Sequence, residues 1–169
     1  MAYWCSANKK GRVEYKCSLT EVMRWTAERR ETVFEGAVVE GLFHKLGEPI
    51  NGQDIGVAES YVTSATCFEL SGIPVICAFS SGNLPVVAKD IRSQYPMSRL
   101  IIFADNDRHL EKNVGILAAE KAVVLVGSNS LLAFPEFGAI PASQDASDWN
   151  DLVRLVGVEV TRFQYFYQK

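Results

Sequence analysis

The sequence predicts an α/β fold with a mainly parallel central sheet and helices on both faces. From residue 55 onward, short apolar segments alternate with segments of helical character, which is typical of such sheets. One of these segments, Leu100 to Ala104, is apolar throughout, as expected of a strand buried on both faces. It runs directly into Asp105-Asn106-Asp107. Because ligand sites in parallel sheets gather at the carboxyl ends of the strands, the sequence also predicts which edge of the sheet carries the function.

The bulk composition is that of a globular protein with an ordinary core. The 169 residues carry a formal net charge of −3, with 48% hydrophobic and 22% charged residues. A protein that binds nucleic acid over its whole surface is usually basic, so nucleic-acid binding here requires a local patch or a bound metal. No CxxC pair is present, which argues against a zinc module, and Cys67 and Cys77 are predicted as buried free thiols. The absence of a signal peptide and of a long apolar span predicts a reduced cytoplasmic setting and no membrane partner.

The first fifty residues predict a small β-rich extension with one helix. Two segments on either side of a polar turn at 8–11 have the pattern of a hairpin. Residues 19–30 are predicted as a short helix, and residues 32–39 and 41–46 as two further strands.

The main domain is predicted over residues 51–157. Its strands are predicted at 55–58, 74–79, 100–104 and 131–134, and its helices at 61–70, 84–94, 114–126 and 149–155. Gly72 directly follows the first of these helices, as expected of a helix-ending residue. The remaining residues, 158–169, are an aromatic-rich tail that we predict as an extra edge strand or an oligomer contact.

Acidic residues follow two of the predicted strands and also lie in a late loop. Glu59 follows the first strand, Asp105 and Asp107 follow the third, and Asp148 and Asp151 lie in the loop. A single acid after a strand is often a helix cap, and this alternative stays open for Glu59, Asp105 and Asp148. Acids from separate strands of one parallel sheet converge at one edge, as a Mg²⁺ site requires.

At these motifs the sequence resembles the Toprim family, the catalytic domain shared by bacterial primases, type IA and type II topoisomerases, and some nucleases. In that family a strand ending in Glu precedes a strand ending in Asp-x-Asp, and the segments 57–63 and 103–107 match these two motifs. The resemblance covers about residues 55–155 and is closest to the domains of plasmid- and phage-type primases. Further matching motifs follow in the expected order: Gly82-Asn83-Leu84, Asp107-Arg108-His109, Asn113-Val114-Gly115 and Asp148-Trp149-Asn150-Asp151-Leu152. The resemblance implies a Toprim-like (Rossmann-like) sheet.

The resemblance also implies phosphoryl-transfer chemistry with Mg²⁺ or Mn²⁺ as the cofactor. Asp105 and Asp107 would hold the cation, and Glu59 would be the general acid/base or a further ligand. Asp148 is expected to add to the metal site, with Asp151 as a secondary candidate. Residues expected to contact nucleotide or phosphate are Ser81, Gly82, Asn83, Arg108, His109, Lys112 and Asn113. For the three cationic or imidazole side chains of this set, a solvated loop is an equally good interpretation.

Two positions depart from the family's pattern. Ser60 stands where a Gly is common, and Thr63 stands where some primases carry another acid. We therefore expect a metal site with fewer acids than in the large primases, and the number of metal ions stays open.

The function predicted from the resemblance is primer synthesis by a primase-like nucleotidyltransferase, in the DNA replication of a plasmid, phage or other mobile element. The expected partners are a single-stranded DNA template, nucleoside triphosphates, and a helicase or another replication protein. Two alternatives use the same fold: a Mg²⁺-dependent nuclease that employs the same acids, and a non-catalytic module that binds nucleic acid.

Overall fold

A computed structural model of the chain describes residues 5–7, 13–15, 40–141 and 146–167. Strands β1 (Cys5–Ala7) and β2 (Val13–Tyr15) pair antiparallel, with Ser6 opposite Glu14, as predicted for the N-terminal hairpin. The helix predicted at 19–30 and the strand predicted at 32–39 lie outside the described residues.

A five-stranded sheet forms the centre of the main domain. Its members in chain order are β3 (His44–Leu46), β4 (Ile55–Ala58), β5 (Val75–Cys77), β6 (Leu100–Phe103) and β7 (Ser130–Ala133). In space the strands follow the order β3-β5-β4-β6-β7. The last four strands of the chain are mutually parallel, and β3 pairs antiparallel with β5 at one edge. The predicted mainly parallel sheet is confirmed.

Helices cover both faces of this sheet. They are α1 (Tyr61–Ser71), α2 (Leu84–Gln94), α3 (Val114–Val126), α4 (Trp149–Val156) and α5 (Val158–Tyr167). Helices α2 and α3 pack on one face, and α1, α4 and α5 on the other. Strand β6 serves both layers, because Leu100 and Ile102 face the first and Ile101 and Phe103 face the second. All four side chains are almost completely buried, which explains the unbroken apolar run.

Strand β3 lies in the segment predicted as the N-terminal extension, and the domain boundary at residue 50 stays a prediction. His44 pairs with Cys77 and Leu46 with Val75, so this strand belongs to the central sheet rather than to the N-terminal extension. Its short length and half-buried side chains suit an edge strand that faces solvent on one side.

The predicted edge strand in residues 158–169 is also corrected, because residues 158–167 form helix α5. Among residues 158–165 of this helix, the buried side chains are Thr161 and Tyr165, and their separation of four residues is helical. The Arg162 Nε atom donates to the carbonyl oxygen of Leu70 in α1 at 3.2 Å, which ties the helix to its neighbour.

The two cysteines of the main domain, Cys67 and Cys77, are free and buried, as predicted. Across the parts of the chain that the structure describes, none of the helices combines the length and apolar character needed to cross a membrane.

Candidate metal and active site

The acidic residues lie where the strand order of the sheet changes direction. After β4 the chain places β5 on one side of it and then returns to place β6 on the other. Ala58, the last residue of β4, pairs with Phe103, the last residue of β6. Glu59 and Asp105 therefore leave two adjacent parallel strands at the same edge. This crevice is the usual ligand site of open α/β sheets.

Asp105 is the centre of the acidic group. Burial raises the pKa of its carboxyl well above the usual value, and the charges of Glu59, Asp148 and Asp107 raise it further. A hydrogen bond from the Thr63 hydroxyl acts in the opposite direction. The structure thus brings the predicted acids within electrostatic reach of one another. Burial, followed by the charges of Asp105 and Asp148, also raises the pKa of the Cys67 thiol beneath them, so this thiol stays protonated.

Asp105 is held from the side of α1 by two hydroxyl groups in series. Ser60 is the N-cap of α1, and its Oγ accepts a hydrogen bond from the Thr63 backbone N–H at 3.0 Å. The Ser60 hydroxyl donates to Thr63 Oγ1 at 3.0 Å, and the Thr63 hydroxyl donates to Asp105 Oδ1 at 2.9 Å. Neither residue was predicted to belong to the site, although a Ser directly before a predicted helix is a signal for an N-cap.

Asp107 is fixed by the first turn of α3. Its Oδ2 accepts a hydrogen bond from the backbone N–H of Gly115 at 2.9 Å. The side chain of Asn113, the N-cap of α3, accepts from the Asp107 backbone N–H at 3.0 Å and donates to Asn106 Oδ1 at 2.8 Å. Asn113 therefore holds the loop that carries both aspartates. Its predicted contact with phosphate stays a prediction.

Asp148 is brought to the site by the same loop. The backbone N–H of Asn106 donates to the carbonyl oxygen of Ser147 at 2.6 Å, which joins the end of β6 to the start of α4. Asp148 is the N-cap of α4 and accepts from the Asp151 N–H at 2.6 Å. Burial is the main reason why the pKa of Asp148 is raised. The helix-cap interpretation and the proximity to Asp105 are therefore both correct for this residue.

Asp151 is occupied by contacts within its own helix start. One carboxylate oxygen accepts from the Ser147 backbone N–H at 3.2 Å, and the other lies 3.4 Å from Arg154. Asp151 thus donates its backbone N–H to Asp148 and accepts from Ser147, the residue before that cap. The position of Asp151 as a secondary metal candidate stays a prediction.

The donor set suits a hard divalent cation. Asp105 and the three acids near it offer carboxylate oxygens, and their mutual repulsion would be relieved by a positive charge. Among residues 40–141 and 146–165, no three His, Cys, Asp or Glu side chains are grouped closely enough to surround an ion by themselves. Mg²⁺ commonly keeps several waters and uses one or two carboxylates together with substrate phosphates. The residues present therefore fit such an ion.

Asn83 has a structural role at the end of β5. Its side-chain amide donates to the carbonyl oxygens of Leu42 at 2.9 Å and Ala78 at 2.7 Å, and its Oδ1 accepts from the Gly41 N–H at 2.8 Å. Both amide hydrogens are thus used within the protein, and contact with a nucleotide would require one of these bonds to break. Ser81 is half-buried and Gly82 exposed in the same loop, and their phosphate contacts stay predictions.

The predicted phosphate-binding residues after the acid pair separate into two groups. Arg108 turns to the loop after β7, where its guanidinium donates to the carbonyl oxygens of Ile140 and Pro141 and lies 4.4 Å from the ring centroid of Phe137. His109 and Lys112 are exposed on the loop that leads to α3. These two side chains can therefore reach a ligand in solvent, whereas Arg108 is held by contacts within the protein.

Comparisons with known proteins found similar sequences. A family model described as Toprim domain matches residues 54–159, which is more than half of the chain. Two Escherichia coli proteins named DNA primase TraC are 37% and 33% identical to the chain, each over 109 residues. These alignments cover 58% of this chain but 7% and 10% of the two primases. The chain thus corresponds to a small part of the length of these relatives.

Proposed function

This chain belongs to the Toprim domain family, and from that premise we propose that it is the catalytic domain of a primase-like protein. The proposed reaction is the divalent-cation-dependent joining of nucleoside triphosphates on a single-stranded DNA template. The observation that supports it most strongly is that Glu59, Asp107 and Asp148 lie within electrostatic reach of Asp105, at the switch point of the sheet. The similarity to two proteins named DNA primase favours primer synthesis among the reactions that such a site can perform.

The acids have proposed roles in metal binding and in proton transfer. Asp105 and Asp107 would hold Mg²⁺ or Mn²⁺, with Asp148 as a further or water-mediated ligand. A cation held there would neutralise phosphate charge and help to align the attacking and leaving oxygens. Glu59, half-buried at the end of β4, is the candidate to accept the proton of the attacking 3′-hydroxyl. His109 and Lys112 would attract the phosphates, and their exposure on the loop that follows the two aspartates supports this role.

The biological setting is part of the same proposal. A primase-like domain acts in DNA replication, and the resemblance to plasmid- and phage-type primases suggests a plasmid, phage or other mobile element. Single-stranded DNA and nucleoside triphosphates are the proposed substrates, and a helicase or another replication protein is the proposed partner.

A primer-synthesis assay with variants tests the proposed function. The protein is incubated with single-stranded template, labelled nucleotides and Mg²⁺ or Mn²⁺. Replacing both ligands (Asp105→Asn with Asp107→Asn) should lower the rate at least about 100-fold, because several kcal/mol of transition-state stabilisation are lost. Glu120→Gln is the matched control, since it removes one charge from an exposed position on α3.

The products distinguish the proposal from its alternatives. New oligonucleotides that disappear in the double variant would support primer synthesis. Shortened template that also depends on the two aspartates would instead establish a nuclease. Template binding without any product would indicate a non-catalytic module, and primer synthesis that survives the double substitution would overturn the assignment of the site.

A further inference from the structure

Three helix starts surround the acidic group, and each of them holds one oxygen of one aspartate. At α3 the backbone N–H of Gly115 donates to Asp107 Oδ2, and at α4 the backbone N–H of Asp151 donates to Asp148 Oδ1. At α1 the donor to Asp105 Oδ1 is the side-chain hydroxyl of Thr63. Of these three hydrogen bonds, the one to Asp105 has a side-chain donor, and the other two have backbone donors.

The reason for this difference lies in the cap of α1. The backbone N–H of Thr63 is already used by the Ser60 hydroxyl oxygen at 3.0 Å. The same serine donates its own hydrogen to Thr63 Oγ1, which leaves the threonine hydrogen to point at Asp105. Thr63 is fully buried, so no solvent competes for this hydrogen.

We propose that Thr63, aligned by Ser60, is a positioning residue for Asp105 that prepares its carboxylate to bind the divalent cation. The hydroxyl pair holds Oδ1 and thereby limits rotation of the carboxylate about its Cβ–Cγ bond. A cation held by Asp105 would then meet Oδ2 in one orientation. Hydrogen bonds behind a ligand commonly fix its geometry and raise metal affinity in this way. This inference rests on the proposed function, because it requires that the site binds a cation.

The test compares Thr63→Val with Thr63→Ser. Valine keeps the β-branched shape and removes the hydroxyl, whereas serine restores the hydroxyl. Binding of Mn²⁺ alone is measured by isothermal titration calorimetry and by electron paramagnetic resonance, with no nucleic acid present. We expect Thr63→Val to bind Mn²⁺ about 10-fold more weakly than the wild type, and Thr63→Ser to restore most of the affinity.

Thr161→Val is the matched control for the loss of a buried hydroxyl. Thr161 is also fully buried near the start of a helix, and its hydroxyl donates at 2.9 Å to the carbonyl oxygen of Gly157, the residue directly before α5. This variant should lose stability to a similar extent and keep the wild-type Mn²⁺ affinity. If Thr63→Val does not fold, Ser60→Ala serves in its place, since it removes the group that aligns Thr63.

The outcomes separate this inference from the proposed function. Wild-type Mn²⁺ affinity in a folded Thr63→Val variant would overturn the positioning role and leave the proposed function intact. A wild-type protein that binds no Mn²⁺ even when a nucleoside triphosphate is added would overturn both. Weaker binding that serine restores and Thr161→Val does not reproduce would support the role of Thr63.

Discussion

Gly115 is required because the start of α3 lies directly against the backbone of Asp105. A Cβ atom at this position would collide with the Asp105 carbonyl oxygen and lie 2.9 Å from its carbonyl carbon. Both partners are backbone atoms, which have no rotamer to change. The close approach is what allows the Gly115 N–H to reach Asp107, so the glycine links the packing of the helix to the geometry of the two aspartates.

We therefore expect Gly115→Ala to destabilise the protein. In an ordinary helix this change is stabilising by about 0.5–1 kcal/mol. Here the collision should reverse the sign, with a loss of about 1–3 kcal/mol in the free energy of unfolding measured by urea denaturation.

Gly82→Ala is the control for the Gly115 prediction. A Cβ atom on Gly82 would meet nothing within 4 Å, and its backbone does not have a positive φ. We expect a change within about 0.5 kcal/mol for this variant. A Gly115→Ala protein as stable as Gly82→Ala would contradict the close approach.

At the level of the elements, most helices and strands of the main domain could be predicted from local pattern. Strand β4 and helices α2 and α3 have the predicted bounds, because caps and apolar spacing mark their ends. Strand β5 is shorter than predicted: it ends at Cys77, and Phe79 adopts a positive φ of 66° that breaks the extended backbone.

The segment 158–167 could not be predicted because its aromatic residues fit two patterns. Phe163 and Tyr165 are two residues apart, as on one face of a strand, whereas Thr161 and Tyr165 are four apart, as on one face of a helix. Packing against α1 and α4 decides between them, and those contacts are tertiary.

Two alanine substitutions in α5 distinguish the helix from an edge strand. Tyr165 is 1% exposed, and its ring centroid lies 5.6 Å from the ring centroid of Phe103. Phe163, in contrast, is 61% exposed. We expect Tyr165→Ala to cost about 3–5 kcal/mol and Phe163→Ala less than about 0.5 kcal/mol in urea unfolding. Comparable losses from both variants would favour the strand, in which the two side chains share a face.

The acids of the candidate site could be predicted from the sequence, but the hydrogen-bond partners of Arg108 and Asn83 could not. The identity of the acids and the edge of the sheet follow from sequence motifs, because acids directly follow apolar strands. The partners of Arg108 and Asn83 are backbone carbonyl oxygens contributed by distant segments, and no sequence pattern identifies such acceptors. Arg108 and Asn83 were therefore predicted to contact a ligand, whereas in the structure their side chains form hydrogen bonds within the protein.

For the molecule as a whole, the acidic group opposes folding when no cation is bound. The pKa of Asp105 is raised, so the folded protein holds this proton more tightly than the unfolded chain. Its contribution to the free energy of unfolding therefore decreases as the pH rises from about 4, the usual value of such a carboxyl, through the raised pKa. A bound cation would offset this loss.

Asp105→Asn should thus be more stable than the wild type at neutral pH in EDTA. Asparagine keeps the Oδ1 acceptor for Thr63 and carries no charge to repel Glu59 and Asp148. The difference should shrink as the pH is lowered towards about 4. Urea denaturation in EDTA across this range measures it, and adding Mg²⁺ should stabilise the wild type more than the variant. A variant that is less stable at neutral pH in EDTA would refute the prediction.

The antiparallel direction of β3 determines where the polypeptide enters the domain. His44, the first residue of β3, pairs with Cys77, the last residue of β5, and the preceding Gly41 and Leu42 are bonded to Asn83. The chain therefore arrives at the same rim of the sheet from which Glu59 and Asp105 depart, rather than at the opposite rim. The chain entry and the acidic residues consequently share one side of the domain, so that substitutions in residues 41–43 would disturb the edge of the sheet that carries the acids.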